Sequence, residues 1–387
     1  MMRFNMDHFN KLAAIHNPHC ISIFIPTHRG GQEVNKKVDA RNLKNQLKKA
    51  ENDLEGYGLK PQEINQLLRP VRDLLDDDHF WTKQSDGLAI FRSEDHMEFY
   101  SVPVYFEEYV YVSDHYYLKP LVPIINENER FYLLAISLKS IRFYEGFPHQ
   151  IDEIEIDDLV PQRLEEVVGF DYRQKYLQYR SGQSAFNKSM YHGQGEGKDD
   201  EKEEIMKFLR AVNDGLMKYL HNRTAPLLLA AVDYLIPMYE EVNDYNNLHD
   251  EHLTGNPEEE DPVLMHEKSM DILEGHFKKV RNEKKKMFEQ ALSNNVASYE
   301  ESEIIPAAVN GRIDTLFVRN REEMYGIFEK ETNSIRTDEK KTAANADLLN
   351  LAVVKTIQTG GNAFLIDGDE MPEKAHKLNA IFRWTTK

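Results

Sequence analysis

Cysteine is nearly absent from this sequence, where Cys20 stands alone among 387 residues. One thiol can neither close an intrachain disulfide nor build a multi-cysteine zinc site, so a buried, small apolar role is expected for it. Long hydrophobic runs are also missing. No stretch approaches the roughly 20 apolar residues that span a bilayer. The N-terminal MMRFNMDHFNKLAAIHNPH is broken by Arg3, Asp7, His8 and Lys11, which excludes the uninterrupted apolar core of a secretory signal. A soluble, cytoplasmic protein is therefore expected. Positive charge is in short supply, with 48 Lys and Arg against 66 Asp and Glu and a formal net charge of -18. Binding to phosphates draws on Lys and Arg to displace counterions, so any RNA contact has to be local.

What is present is a globular balance of 41% hydrophobic and 29% charged residues. Domains of roughly 100 to 200 residues predict two or three for this length. Breaks in the pattern give three segments, 1–125, 126–261 and 262–387. The first opens with CISIFIP, a β-branched run stopped by Pro26 and Gly30-Gly31, which reads as a buried strand. Two helices follow, KKVDARNLKNQLKKAEND and PQEINQLLRPVRDLLDD. DGLAIF and MEFYSVPV then read as strands, and YVSDHYYLKPLVPII carries the chain outward. The second segment offers a hairpin, FYLLAISL with SIRFYEGF, then a long polar stretch. After it comes the helix DDEKEEIMKFLRAVNDGLMKYL, with Ile205, Phe208, Leu209, Val212 and Leu216 as its apolar stripe, and the strand PLLLAAVDYL. An acidic, irregular stretch closes this segment. The third reads as a long helix from Pro262 to Asn294, the strand RIDTLFV, a helix over ADLLNLAVVKTIQ ended by Gly360, and the strands NAFLID and AIFRW. Each segment is α/β in class.

Local cationic sites do exist. Lys37, Arg41, Lys44 and Lys48 recur at spacings of four and three on one face of the first helix, while Leu43, Leu47, Ala50 and Leu54 lie about 120° away. A second basic cluster is FKKVRNEKKKMF. Either could contact RNA, and either could be a solvated helix face.

The third segment resembles the C-terminal domain of archaeal and eukaryotic class-1 release factors and of the rescue factor Pelota. The resemblance rests on Gly360-Gly361, the acidic stretch Asp367 to Glu370, the closing Ala380-Ile381-Phe382-Arg383-Trp384 and the strand in AVNGRIDTLFV. It implies the α/β sandwich of kink-turn-binding ribosomal proteins at the C-terminus and a ribonuclease H-like middle domain. Over nearly the whole chain, ISIFIPTHRGGQEV, FWTKQSDGLAIF, LKPLVPII, YHGQGEGKDDEKEEIMKFLRAVNDGL and LLLAAVDYL are similar to a bacterial branch of the same superfamily.

In release factors a Gly-Gly-Gln loop of the middle domain promotes peptidyl-tRNA hydrolysis. Its glycines permit close backbone approach and its glutamine helps position water. The literal Gly30-Gly31-Gln32 falls in the first segment and reads as a turn. Two altered loops lie in the second segment: Ser181-Gly182-Gln183-Ser184-Ala185, and His192-Gly193-Gln194-Gly195, which directly precedes the long helix as the family's loop does. Gln194 and Gln183 are thus the catalytic candidates, with Gly182, His192, Gly193 and Gly195 as loop residues. Glu196, Asp199, Asp200, Glu201, Glu203 and Glu204 follow the second loop, and their charge opposes insertion into ribosomal RNA. The same stretch is not a Walker A loop, because His192 takes the place of its first glycine and Asp199 that of its magnesium-binding hydroxyl.

Other constellations are sparse. Thr27, His28 and Arg29 after the first strand, Asp86-Gly87 before another, and Asp233 at the end of LLLAAVD could line a pocket at strand ends or serve as caps there. The pairs His16/His19 and His249/His252 lack the four ligands of a structural zinc site and read as surface histidines. No metal and no cofactor is expected. The resemblance implies a translation-associated protein that binds the ribosome or tRNA. The alternative is a non-catalytic module that binds a protein or small ligand, as under stress, which the acidity around GNPEEEDP favours.

Overall fold

The computed structural model describes residues 4–28, 37–125, 129–148, 150–169 and 196–384. They divide into two compact units, one of Met1–Glu127 with Val280–Lys387 and one of Asn128–Lys279. The α/β class expected from the sequence holds in both. No helix among the described residues is long and apolar enough to cross a membrane.

The first unit begins with helix α1 (Met6–Ala13), capped by the Asn5 side chain, and strand β1 (His16–Pro26). Helices α2 (Val38–Gly56) and α3 (Pro61–Asp73) follow, then β2 (Gly87–Arg92), β3 (Met97–Val102) and β4 (Tyr109–His115). The strands form an antiparallel sheet in the order β3-β2-β1-β4. Side chains alternate across a strand, so CISIFIP buries both of its faces. Ile21, Ile23 and Ile25 pack with Leu43, Leu47 and Ala50 of α2 and with Ile64 and Leu68 of α3. Cys20 and Phe24 point to the opposite core, which they share with α1 and with residues of the C-terminal part. The Cys20 thiol donates to the carbonyl of Asp114, and burial pushes its pKa up to about 12, so it is the inert apolar residue expected. Tyr109–His115 is a strand rather than an outward path. Its ladder to β1, with Ile23 opposite Val110 and Ile21 opposite Val112, completes the sheet.

The second unit contains β5 (Phe131–Ile136), β6 (Ile141–Phe147), β7 (Gln150–Ile154), α4 (Glu196–Leu220), β8 (Leu227–Ala231), α5 (Leu235–Val242) and β9 (Leu253–Thr254). Its sheet order is β7-β6-β5-β8-β9. The first three strands form an antiparallel meander, and β8 and β9 run parallel to β5 and β8. The β5–β6 hairpin is tightened by Ser137, whose hydroxyl accepts the Lys139 and Ser140 N–H groups. All five residues of the expected α4 stripe are buried, in one core with Tyr132, Leu134 and Leu229. Gly215 lets α4 approach the 159–160 backbone, since a Cβ there would lie 2.1 Å from the Leu159 carbonyl oxygen. The acidic stretch expected to be irregular contains the end of α5 and the short β9. The other face of the sheet is covered by Met265, Leu273 and Phe277 of helix α6 (Pro262–Ser293).

The last turns of α6 belong to the first unit, where Phe288 packs with Phe317, Phe364 and Ile381. There β10 (Ala297–Ser298), α7 (Glu301–Val309), β11 (Ile313–Arg319), β12 (Tyr325–Glu329), β13 (Ser334–Thr337), β14 (Ala346–Asp347), α8 (Leu348–Gln358), β15 (Asn362–Ile366) and β16 (Leu378–Phe382) complete the chain. The main sheet runs β10-β16-β11-β15, and a small one runs β13-β12-β14. Gly360, at φ +75°, follows the end of α8 as expected. The final strand stops at Phe382, two residues short of the expected AIFRW: Arg383 N–H still reaches the Arg312 carbonyl, while Trp384 is half exposed.

Candidate functional site

The basic face of α2 survives folding. Leu43, Leu47, Ala50 and Leu54 are buried, while Lys37, Arg41, Lys44 and Lys48 are exposed. At 100° per residue the four fall within an arc of about 60° and span about 16 Å of helix. Lys37 differs from the others. It begins the helix in the left-handed region, at φ 53°, and its ammonium lies 2.7 Å from Asp78, a hydrogen bond that raises its pKa. Arg41, Lys44 and Lys48 form the cationic ridge proper.

Thr27 and His28 lie at the end of β1, and the structure uses them to close the strand. The Thr27 hydroxyl donates to the Ser85 carbonyl at 2.8 Å, and Thr27 N–H donates to the Asp86 carbonyl at 3.0 Å. Asp39, buried in the first turn of α2, accepts the His28 N–H at 3.0 Å and holds its ring Nδ1 at 2.7 Å. This bidentate link fastens the strand end to the helix start and fixes the imidazole. Asp233 is exposed two residues beyond β8. Arg29, Gly182, Gln183, His192, Gly193, Gln194 and Gly195, like Gly30-Gly31-Gln32, lie outside the described residues.

The histidine pairs do not converge. His16 lies beside the His115 ring and His19 is 3.8 Å from Glu94, while His249 lies beside His276 and His252 is 3.0 Å from Glu240. Among the described residues Glu300, Glu301 and His376 bring possible ligand atoms within 4.8 Å of one another. Glu301 already accepts the Lys377 N–H at 2.9 Å, which ties α7 to the segment before β16.

A cavity of about 340 Å³ opens in the first unit. Its wall is aromatic: Phe24 meets Phe106 edge-on at 5.1 Å, and Tyr109 lies 5.2 Å from Tyr117. Pro120 and Pro123 stiffen one side. The loop after β3 is held down because Gly87 leaves room for it, a Cβ there falling 2.1 Å from the Val104 carbonyl oxygen. Polar groups are arranged around this wall. Glu323 accepts hydrogen bonds from the hydroxyls of Tyr109 and Tyr325, and burial together with that carboxylate holds both phenols well above their ordinary pKa. Glu107 pairs with Arg321 at 3.1 Å, and Glu108 accepts from the Gln46 amide of α2. Lys119, 4% exposed, is committed to Asp347 at 3.2 Å and to the Glu322 carbonyl, with the Tyr117 ring 5.3 Å away. Sequence reading missed this site because its parts come from distant stretches. Only LKPLVPII, with its two prolines, hinted at a rigid wall.

Residues 131–275 match the family described as bacterial archaeo-eukaryotic release factor family 7. Among solved structures, the chain is similar to an archaeal translation termination factor, aRF1, at 14% identity over 99% of both chains, with a TM-score of 0.24. It is similar to ribosome-bound archaeal Pelota with ABCE1 at 11% identity over 76% of this chain and 75% of that one, with a TM-score of 0.35. For S. cerevisiae Dom34, a translation termination-like factor, the values are 12%, 73%, 76% and 0.34. No curated protein matches. The family match runs from β5 into α6 and takes in the whole five-stranded sheet, so it is this stretch that is similar to bacterial archaeo-eukaryotic release factors.

Proposed function

We propose that this protein is a cytoplasmic, translation-associated factor that docks on the ribosome or a tRNA through local basic surface. The observation that carries the reading is the pairing of a release-factor-type middle unit with the exposed ridge Arg41, Lys44 and Lys48 on a chain of net charge -18. In such an acidic molecule repulsion discourages general phosphate binding, so a cluster of cations on one helix face selects where RNA can approach. The strand order of the middle unit, an antiparallel meander followed by two parallel strands on the far side of its first strand, supports a ribonuclease H-like reading of that unit. Hydrolysis of peptidyl-tRNA would fall to Gln194 or Gln183, whose loops depart from Gly-Gly-Gln and precede a strongly acidic helix start.

Purified protein mixed with ribosomes that hold peptidyl-tRNA tests both parts. The binding part predicts that the protein pellets with ribosomes at low salt and is released as salt rises. Its absence from the pellet at low salt rejects that part. Peptide release that is lost in Gln194→Ala or Gln183→Ala assigns the reaction to that loop, and release unchanged in both variants rejects the catalytic part.

A further inference from the structure

We infer that the cavity beside β4 is a binding site for a small organic cation, an amine with an apolar body, and this stands independently of ribosome association. The lining carries Glu107, Glu108 and Glu323 against Lys119 and Arg321. Lys119 is buried against Asp347 and is closed to an anionic ligand, while the exposed Arg321 is already paired with Glu107 at 3.1 Å. On the lining itself three carboxylates face two cations. An anion would meet unfavourable charge here, whereas an ammonium group would complete the balance.

The acceptors also have capacity to spare. Each oxygen of Glu323 accepts one phenol hydrogen bond, from Tyr109 on Oε1 and Tyr325 on Oε2, and a carboxylate oxygen has two acceptor positions. The two phenols therefore orient the carboxylate without exhausting it. Phe24, Phe106, Tyr109 and Tyr117 supply faces and edges that suit an apolar ligand body, and aromatic faces attract organic cations by their quadrupole. A volume of about 340 Å³ is at the small end of the range for ligand pockets, which points to a compact amine rather than a nucleotide or peptide.

Titration calorimetry with the full chain and three isosteric probes tests the assignment: tryptamine, its neutral alcohol analogue and indole-3-acetate. Tryptamine is expected to bind at least tenfold more tightly than the alcohol, with the acid weakest. Glu323→Gln should lower tryptamine affinity by about tenfold. Arg321→Asn, which keeps a residue tolerant of the left-handed backbone at φ 60°, should raise it by freeing Glu107. The thermal transition of each variant establishes that it is folded. The assignment is overturned if the acid binds as well as the amine, if Arg321→Asn weakens the amine, or if none of the probes binds the folded wild-type protein at millimolar concentration.

Discussion

Asp347→Asn destabilises the first unit by about 3–5 kcal/mol, the cost of leaving a buried charge without its partner. Asp347 is fully buried. Its Oδ1 accepts the N–H groups of Met324 and Leu349, its Oδ2 faces the Lys119 ammonium at 3.2 Å, and its own N–H donates to the Tyr111 hydroxyl. Through these bonds the start of α8 is joined to β4 and to the Lys119 turn. Asn350, also fully buried, adds to the link by accepting the Leu118 and Lys119 N–H groups. Asparagine keeps the shape and the helix cap but not the charge. Both tryptophans, Trp81 and Trp384, belong to this unit, so intrinsic fluorescence follows it. The thermal midpoint should fall on the order of 10 °C. The double variant Lys119→Met/Asp347→Asn should recover part of the loss, because it removes the uncompensated ammonium. A single-variant midpoint within about 2 °C of wild type, a shift too small for a buried unpaired charge, would contradict this account.

Phe208→Ala has the largest expected effect in the second unit. The ring is fully buried in the core that joins α4 to β5 and β8, and removing it costs about 3–5 kcal/mol in transfer and cavity terms. Amide hydrogen exchange in 131–136 and 227–231 should accelerate by about two to four orders of magnitude, since those strands lose the helix that covers them. Phe208→Leu, which keeps much of the volume, should show a fraction of that change. Unchanged exchange in Phe208→Ala would mean that α4 does not hold this sheet.

Elements whose burial is written in a local period were legible. Ile205, Phe208, Leu209, Val212 and Leu216 declare a helix face by spacing alone, and CISIFIP declares a strand buried on both sides. The cationic face of α2 was legible for the same reason, except that Lys37 is bound to Asp78, a residue forty-one positions further on. Tyr109–His115 was not legible, because its tyrosines and its Ser-Asp-His end look polar until β1 and the C-terminal core cover them. Likewise Lys119 acquires its meaning from Asp347, 228 positions away, and the cavity acquires its acid from Glu323. Contacts of that range depend on how the chain returns on itself, which no local pattern encodes. The glutamine loops, whose chemistry the sequence raises most directly, lie outside the described residues.

The proposed function has an acidic chain, similar over residues 131–275 to bacterial archaeo-eukaryotic release factors, meet the ribosome through the α2 ridge. The most direct measurement is co-sedimentation with ribosomes across salt, for the wild type beside Arg41→Glu/Lys44→Glu/Lys48→Glu. Three phosphate contacts predict a slope of about -2 to -3 in log affinity against log salt for the wild type. The triple variant, folded by its thermal transition, should leave the pellet even at low salt. A variant that binds with the wild-type affinity and slope would contradict the account.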